Sequence, residues 1–584
     1  MLGRLGFAGA AVLAFASSCG GHSDVIGGRA AGAGGKSAAG RSGAGGKLQN
    51  AGGCPACGGR GGNAGAGHGG RGGATGGASS GGVANVGEGG GEGGGAGAGE
   101  AGQAGEVSSA GGTNDGGMGG GDEPNAGMGG EGLPPAQETL AITKVAVYQA
   151  TEVTIFRDGA AVQPNAPIVA NREALVRVWV RPAPVWTART IAAELDVTAG
   201  SNSRVAKASS DVSAVSADDD LGSTFTFALR ANEVIGSAQL SVTLREANGV
   251  DALARWPKAV DFTLGAQSSH GNFLVTVVPL VVGGQTPDLG TETLSRFQRY
   301  LSHVYPASGV DMTVRAAVTF AGTLSADGTG WDDALDALLA TRDADVPAAN
   351  VYYYGVVTPA ATYSQYCAAG CIVGLSNVAG PDEAEYRGAM GTGYFVGNGD
   401  TSSPETMAHE LGHALGRDHA PCGDPDDVDP QYPYLQGQIG VRGYDGKSLL
   451  DPNRYKDEMS YCVPVWISDY TWSGLFDRIS YVNGGGAPLR VFGATPPPAR
   501  YRTLILRADG SMHWGHERHL AAAPGGAPTS VELLDASGVV VAVVSATFAP
   551  FDHVAGGFLN VPAASLEAPD VASVRVDGVV LRVR

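Results

Sequence analysis

The sequence is poor in charge, and poorest in positive charge. Of its 584 residues only 16% are charged, and 38 lysines and arginines stand against 57 aspartates and glutamates. The formal net charge of −19 argues against a nucleic-acid partner, because binding phosphates requires clustered Lys and Arg. We expect instead a soluble protein that works outside the cell.

Long apolar runs are missing as well, which excludes a transmembrane helix of about 20 residues. One short run, residues 5–15, follows Arg4 and precedes the small residues 16–18, as in an export signal. These small residues lead into Cys19, which resembles the signal of a bacterial lipoprotein. The resemblance implies that Cys19 is lipidated and is the first residue of the mature chain. The protein would then be an exported bacterial protein, at the outer membrane or outside the cell, and its lipid would anchor it to a membrane. The alternative is an ordinary cleaved signal peptide in which Cys19 has no role.

Cysteine is scarce, with seven residues in the chain. If Cys19 carries a lipid, an even number remains, and in an exported protein this predicts disulfides. Cys54 and Cys57 form a C-x-x-C with no second pair, which favours a local disulfide over a zinc site. The other four are Cys367, Cys371, Cys422 and Cys462.

Glycine is in large excess, and its distribution divides the chain. More than half of the 95 glycines precede residue 135, in a stretch that also holds Ala, Ser and scattered charge. Such a stretch buries too little apolar surface to offset the entropy of ordering, so we expect a disordered tether. Length and composition predict a multidomain chain: a signal at 1–19, a Gly/Ala-rich linker at 20–137, a β-sandwich at 138–266, an α/β domain at 267–485 and a small all-β domain at 486–584.

Hydrophobic periodicity supports these fold classes. Apolar residues alternate with polar ones in 138–266, and Asp158-Gly159 between two apolar runs is a hairpin signal, so a β-sandwich is predicted. The next segment alternates strand and helix patterns, which predicts a mostly parallel sheet. Its strands are expected at 273–282, 312–320 and 351–357, and its helices around 294–304 and 331–339.

Three histidines in the α/β segment have spacings that suit one metal ion. His409 and His413 are four residues apart on a predicted helix, so both imidazoles project from one face. Gly416 ends that helix and lets the chain turn sharply, which brings His419 to the same place. Three neutral nitrogens can bind one Zn²⁺ and leave its fourth position open for water, which is the arrangement of a catalytic zinc site.

Glu410 follows the first histidine and is not needed as a ligand. We expect it to act as the general base that takes a proton from the attacking water, which the zinc activates. A chance H-E-x-x-H on an amphipathic helix is the alternative, but the glycine and the third histidine are also in register. The helix is expected to begin with Ser402 or Ser403 as N-cap and Pro404 in the first helical position.

The string from His409 to His419 resembles that of the metzincin zinc peptidases. Met459 stands 40 residues beyond His419, where a metzincin has its Met-turn, and by resemblance forms an apolar floor beneath the imidazoles. Tyr461 matches a tyrosine that in some metzincins reaches the zinc or the oxyanion, which implies a catalytic hydroxyl. Both could instead be ordinary core residues. Ala420, directly after His419, matches no named subfamily.

Two disulfides are also expected from the positions of these four cysteines. The segments that carry Cys422 and Cys462 both have to approach the zinc, so a bridge between these residues would pin the third-ligand loop to the Met-turn. Cys367 and Cys371 would close a small loop on or beside an edge strand that borders the cleft.

Three further clusters have alternative interpretations. The acidic runs at 218–220 and 424–429 could bind Ca²⁺, but solvated loops are favoured. His513, His516 and His519 could hold a second metal, but a surface hairpin is favoured.

The sequence therefore predicts a zinc endopeptidase of extracellular proteins or glycoproteins, acting as a monomer. A surface adhesin with a degenerate zinc domain is one alternative, and it predicts binding without chelator-sensitive cleavage. A zinc amidase acting on cell-wall peptide is the other. The intact set of histidines with Glu410 favours an enzyme.

Overall fold

The computed structural model describes residues 139–395, 397, 400–485, 499–520 and 522–584. All of them belong to one compact unit. The predicted signal, Cys19, the glycine-rich linker and the Cys54/Cys57 pair lie outside the described residues. The described chain is mostly β-sheet with few helices.

Ten short strands form the N-terminal region, in two antiparallel sheets ordered β3-β2-β1-β4-β7 and β10-β8-β5-β6, with β9 beside β8. Alternating residues such as Val176, Val178 and Val180 are fully buried in an apolar core to which both sheets contribute, as in the predicted sandwich. Asp158 and Gly159 have φ of 48° and 90°, the positive values that a type I′ hairpin requires. The strands are β1 Leu140–Tyr148, β2 Glu152–Arg157, β3 Ala160–Ala161, β4 Ala174–Pro182, β5 Arg189–Ala199, β6 Asn202–Val212, β7 Phe225–Leu229, β8 Gln239–Glu246, β9 Ala252–Trp256 and β10 Phe262–Thr263.

The central region is built on a sheet ordered β12-β11-β14-β16-β15, in which only β15 is antiparallel to its neighbour. The apolar runs predicted at 273–282 and 351–357 are strands with those same bounds. The single strand expected at 312–320 is instead two strands that both pair with β11 and are separated by residues 315–317. The strands are β11 Phe273–Val282, β12 Val310–Val314, β13 Val318–Phe320, β14 Val351–Val357, β15 Gly374–Ser376 and β16 Gly388–Thr392.

Six α-helices occur in the described residues: α1 Thr291–Val304, α2 Trp331–Asp345, α3 Tyr363–Tyr366, α4 Ser402–Ala414, α5 Asp469–Asn483 and α6 Ala563–Leu566. None of them combines the length and apolar character that crossing a membrane requires.

The start of α4 differs from the prediction. Thr401 is the N-cap, so Ser402 and Ser403 lie inside the helix and Pro404 is not its first residue. Asp400 accepts hydrogen bonds from the backbone N–H and the hydroxyl of Ser402, at 3.0 and 2.8 Å. The carboxylate of Asp400, just before the helix, thus binds a free N–H group of the first turn. The prediction had given this capping role to a serine side chain.

Between α4 and α5 lie four two-residue strands: β17 Gly443–Tyr444, β18 Leu449–Leu450, β19 Lys456–Asp457 and β20 Val465–Trp466. Leu411 of α4 and Trp472 of α5 share one apolar core with the N-terminal sandwich. The indole of Trp472 also donates to the carbonyl of Pro167, at 3.0 Å. The core is therefore continuous across the predicted boundary near residue 266.

The C-terminal region is one antiparallel sheet of seven strands, ordered β22-β21-β25-β24-β23-β26-β27. Leu504, Leu559 and neighbouring residues form an apolar core of its own, whereas Ile505 and Phe558 pack into the core around α2. Around β21 and β25 this sheet is thus packed on both faces, whereas residues 540–543 of β24 and most of β27 are exposed. Its strands are β21 Ala499–Arg507, β22 Met512–Leu520, β23 Ala527–Leu534, β24 Val540–Pro550, β25 Gly556–Pro562, β26 Ser573–Val576 and β27 Val579–Arg582.

Candidate metal centre

His409, His413 and His419 meet at the C-terminal half of α4. The Nε2 atom of His413 lies 3.1 Å from the Nε2 atoms of both other histidines. A tetrahedral zinc with Zn–N bonds of 2.0–2.1 Å would hold its nitrogens about 3.3–3.4 Å apart. The three nitrogens therefore have the spacing of ligands to one ion.

A sharp turn after α4 brings the third histidine back. Gly416 has φ of 75°, and the N–H of Arg417 donates to the carbonyl of Gly412 at 3.0 Å. A Cβ at Gly416 would lie 2.7 Å from the carbonyl oxygen of Ala379, so both the space and the dihedral angle favour glycine.

The opposite nitrogen of each imidazole is bonded to a backbone carbonyl. Nδ1 of His409 is 2.7 Å from the oxygen of Glu458, Nδ1 of His413 is 2.7 Å from that of Arg417, and Nδ1 of His419 is 2.7 Å from that of Asp426. A carbonyl can only accept, so each Nδ1 carries the proton and each Nε2 turns its lone pair toward the other two. Three converging lone pairs favour a bound cation, and neutral imidazoles suit zinc.

Burial keeps these imidazoles neutral. It lowers the pKa of His409 and His413 well below the ordinary value of 6.5, and that of His419 to about 4. Neutral nitrogens are the form that binds a metal ion.

Met459 lies beside the helix that carries the first two histidines. Its side chain is 1% exposed, and a Cβ on Gly412 would lie only 2.4 Å from its sulfur. The preceding Asp457 is fully buried, and its carboxylate accepts from the N–H groups of Met459 and Ser468 at 2.9 and 3.0 Å. The turn at Met459 is therefore fixed by hydrogen bonds as well as by packing.

The third-ligand loop and this turn are joined in two ways. The N–H of Ala420 donates to the carbonyl of Met459 at 2.8 Å, and the disulfide Cys422–Cys462 links the two segments. The disulfide Cys367–Cys371 closes a short loop just before the edge strand β15. Both pairings are those expected from the sequence.

Glu410 is 1% exposed, and its carboxylate lies against β15. A Cβ on Gly374 of that strand would lie 2.1 Å from Oε1 of Glu410, so a side chain there would displace the carboxylate. Burial, and after it the charge of Asp552, raises the pKa of Glu410 well above 4.5. Among the described residues, Oε2 of Glu410 has no hydrogen-bond partner.

Two residues that sequence reasoning missed complete the site. Asp552 and His553 follow β24 in the C-terminal sheet, and Nε2 of His553 lies 2.8 Å from Oε1 of Glu410. Nδ1 of His553 lies 2.5 Å from the hydroxyl of Tyr461. Oδ2 of Asp552 lies 3.7 Å from Nε2 of His413.

The pKa values of His553 and Tyr461 are both shifted by their surroundings in the site. Burial alone would lower the pKa of His553, but the carboxylates of Asp552 and Glu410 raise it to about 9. Burial also raises the pKa of Tyr461, so its hydroxyl keeps its proton. An Asp-His dipeptide in an all-β segment matches no motif, so spacing offered no signal for it.

The other predicted clusters do not form metal centres of this kind. His513 lies with Asp332 and Asp333, but the guanidinium of Arg507 already binds both carboxylates, at 2.6 and 2.8 Å. His516 binds Asp336 of α2 at 2.7 Å, so this hairpin docks on the helix, although His519 remains largely exposed. In the part of the chain that the structure describes, neither acidic run gathers three ligand groups; at 424–429, the carbonyl of Asp426 instead orients His419.

A comparison with protein families is consistent with this chemistry. Residues 361–454 match the family described as Peptidase M66. No curated protein matches the chain. The match includes the three histidines, Glu410 and three of the four paired cysteines, and it ends before Met459, Tyr461 and His553. This part of the chain is therefore similar to a metallopeptidase family, and its histidine cluster suggests a metal ion, typically zinc.

Proposed function

We propose that the protein is a zinc-dependent endopeptidase of the metzincin type that hydrolyses peptide bonds in extracellular proteins or glycoproteins. The observation that carries the proposal is the convergence of three Nε2 lone pairs, each fixed by a carbonyl on Nδ1, beside a buried carboxylate. The parallel sheet with one antiparallel edge strand next to α4 supports the metzincin type.

His409, His413 and His419 would hold the zinc, which when bound supplies a Lewis acid that polarises a carbonyl and lowers the pKa of water. Glu410 takes the proton of the attacking water and then passes it to the leaving amine. The hydroxyl of Tyr461 donates a hydrogen bond to the negative charge that develops on the carbonyl oxygen. Met459 supports the helix turn from which two of the imidazoles project.

The first test separates metal binding from chemistry. Glu410→Gln keeps the three imidazoles, so zinc should stay near one per chain while cleavage of a peptide library falls by about 10²–10⁴-fold. His413→Ala removes a ligand, so zinc content and cleavage should fall together. Zinc is measured by elemental analysis and cleavage by mass spectrometry, with and without chelator.

Other functions predict other results. An adhesin would bind its target unchanged in the Glu410→Gln variant and show no chelator-sensitive cleavage in the parent. A cell-wall amidase would cleave peptidoglycan fragments and leave the peptide library intact. Full activity of Glu410→Gln would remove the general base from the mechanism.

We also propose export as a lipoprotein that begins at Cys19. Intact-mass analysis of the membrane fraction should show acyl groups on a chain starting at this residue. A chain with another N-terminus and no acyl mass would contradict this.

A further inference from the structure

The segment that carries Asp552 and His553 is held firmly on the edge of the central sheet. The N–H of Asp552 donates to the carbonyl of Ser376 at 3.2 Å, and the N–H of Ser376 donates back to Oδ1 of Asp552 at 3.0 Å. Just before it, Phe551 is 4% exposed and packs edge-on against Phe558, with ring centroids 4.7 Å apart. The C-terminal sheet thus fixes the backbone from which His553 projects.

The imidazole of His553 bridges two residues of the proposed mechanism. Nε2 lies 2.8 Å from Oε1 of Glu410, and Nδ1 lies 2.5 Å from the hydroxyl of Tyr461. Its ring is stacked on His409 at 5.2 Å and lies 5.5 and 5.2 Å from the rings of His413 and His419. It therefore lies beside all three imidazoles, next to the carboxylate of Glu410.

The bridge has a specific consequence for each partner. Because Nε2–H binds Oε1, the carboxylate of Glu410 is fixed while its Oε2 keeps its lone pairs for the attacking water. Because Nδ1 is hydrogen-bonded to the hydroxyl of Tyr461, the phenol is held next to the imidazole of His553. A base held within a small angular range gains rate through orientation, since misplacement of about 1 Å can cost 10²-fold.

We propose that His553 is a positioning residue of the peptidase site, supplied by the C-terminal sheet, that orients Glu410 and Tyr461. The inference rests on the proposed function. One ring nitrogen of His553 lies within 4.8 Å of a nitrogen of each of the other three histidines, so His553 borders the metal position. We assign it no metal bond, because both of its ring nitrogens are engaged by the carboxylate and the phenol.

The test uses substitutions that keep one half of the bridge. His553→Gln can place its amide near the position of Nε2 and retain a donor to Glu410. His553→Asn can replace only Nδ1 and reaches Tyr461 alone. His553→Ala removes both contacts. His519→Ala, at an exposed histidine of the same sheet, is the control.

We expect His553→Ala to lower kcat by about 10- to 100-fold, as for the loss of a hydrogen bond to a charged group, with KM changed by less than about threefold. Gln should restore part of kcat and Asn should restore less. Zinc content and thermal unfolding should match those of His519→Ala. A purely structural role would instead make the loss follow stability, with no advantage of Gln over Asn.

Two outcomes would overturn the inference. Parental kcat in His553→Ala would show that the bridge has no role, and increased activity would show that the imidazole obstructs the site. Glu410→Gln, measured in the same series, separates this from the proposed function. If the parent itself cleaves no peptide, the proposed function fails. If the parent is active and only the effect of His553 is missing, the inference alone fails.

Discussion

Two arginines join the flanking β regions to the central helices, and they do so with different partners. Arg172, in the N-terminal region, donates to the carbonyls of His303 and Tyr305 at the end of α1, at 2.8 and 2.7 Å. Arg518, in β22, binds the carboxylate of Asp343 near the end of α2 at 2.6 Å and the carbonyl of Glu385 at 2.8 Å. Both place a cation where the helix dipole is negative.

The electrostatic settings of these arginines differ. Burial lowers the pKa of Arg172 to about 10; its guanidinium meets backbone carbonyls and the ring of Trp472, whose centroid is 5.0 Å away. Burial acts on Arg518 as well, but the carboxylate of Asp343 outweighs it and raises the pKa. Both regions therefore dock through apolar cores; the N-terminal region adds mainly hydrogen bonds to backbone carbonyls, and the C-terminal sheet adds ion pairs. Of these two regions, the C-terminal sheet is the one that places side chains against Glu410.

We expect that removing a large buried side chain from either docking region lowers stability, but that only the loss in the C-terminal region also lowers activity. Trp472→Ala, in the core shared with the sandwich, and Phe551→Ala, in the core around α2, should each lower the free energy of unfolding by about 3–5 kcal/mol. Only Phe551→Ala should also lower kcat per folded molecule, because Phe551 holds the segment of Asp552 and His553. Chemical denaturation and cleavage assays at a temperature where both variants are folded test this. Equal kcat in the two variants would contradict it.

The second prediction concerns the two arginines. Arg518→Met leaves the carboxylate of Asp343, 12% exposed, without its counter-ion and should cost about 3 kcal/mol. The double variant Arg518→Met/Asp343→Leu should recover most of this loss, because no charge is then buried alone. Arg172→Met should cost about 1–3 kcal/mol, and no second substitution can rescue it because its partners are backbone carbonyls. A double variant as unstable as Arg518→Met would refute the ion-pair account.

The smallest predicted effect is a pH dependence of the C-terminal interface. The hydrogen bond to Asp336 raises the pKa of His516 above 6.5. The bond between protonated His516 and Asp336 therefore stabilises the folded protein fully below about pH 6.5. This contribution is lost as the pH rises through the raised pKa that His516 has in the folded state. It should amount to less than about 1 kcal/mol, since the side chain is 54% exposed. His516→Gln should flatten this part of the stability profile; an unchanged profile would argue against the pairing.

Local patterns were predicted well from the sequence, and their boundaries less well. Residues 273–282 and 351–357 are strands because continuous apolar runs suit a sheet that is covered on both faces. The break at residues 315–317 was not predicted, because the apolar pattern continues through it at Ala316 and Ala317. The N-cap of α4 was assigned to Ser402 or Ser403, whereas Thr401 takes that position, because Ser and Thr are both good caps by type.

The sequence by itself determined that three histidines converge at the end of α4. Spacing of four on a helix and a glycine turn bring His409, His413 and His419 together. Contacts from the Met459 turn then fix them in place. Only the tertiary structure decided that His553 meets Glu410, 143 residues away in sequence. That contact depends on how the C-terminal sheet packs on α2 and pairs with Ser376, and no local period records such a long-range arrangement.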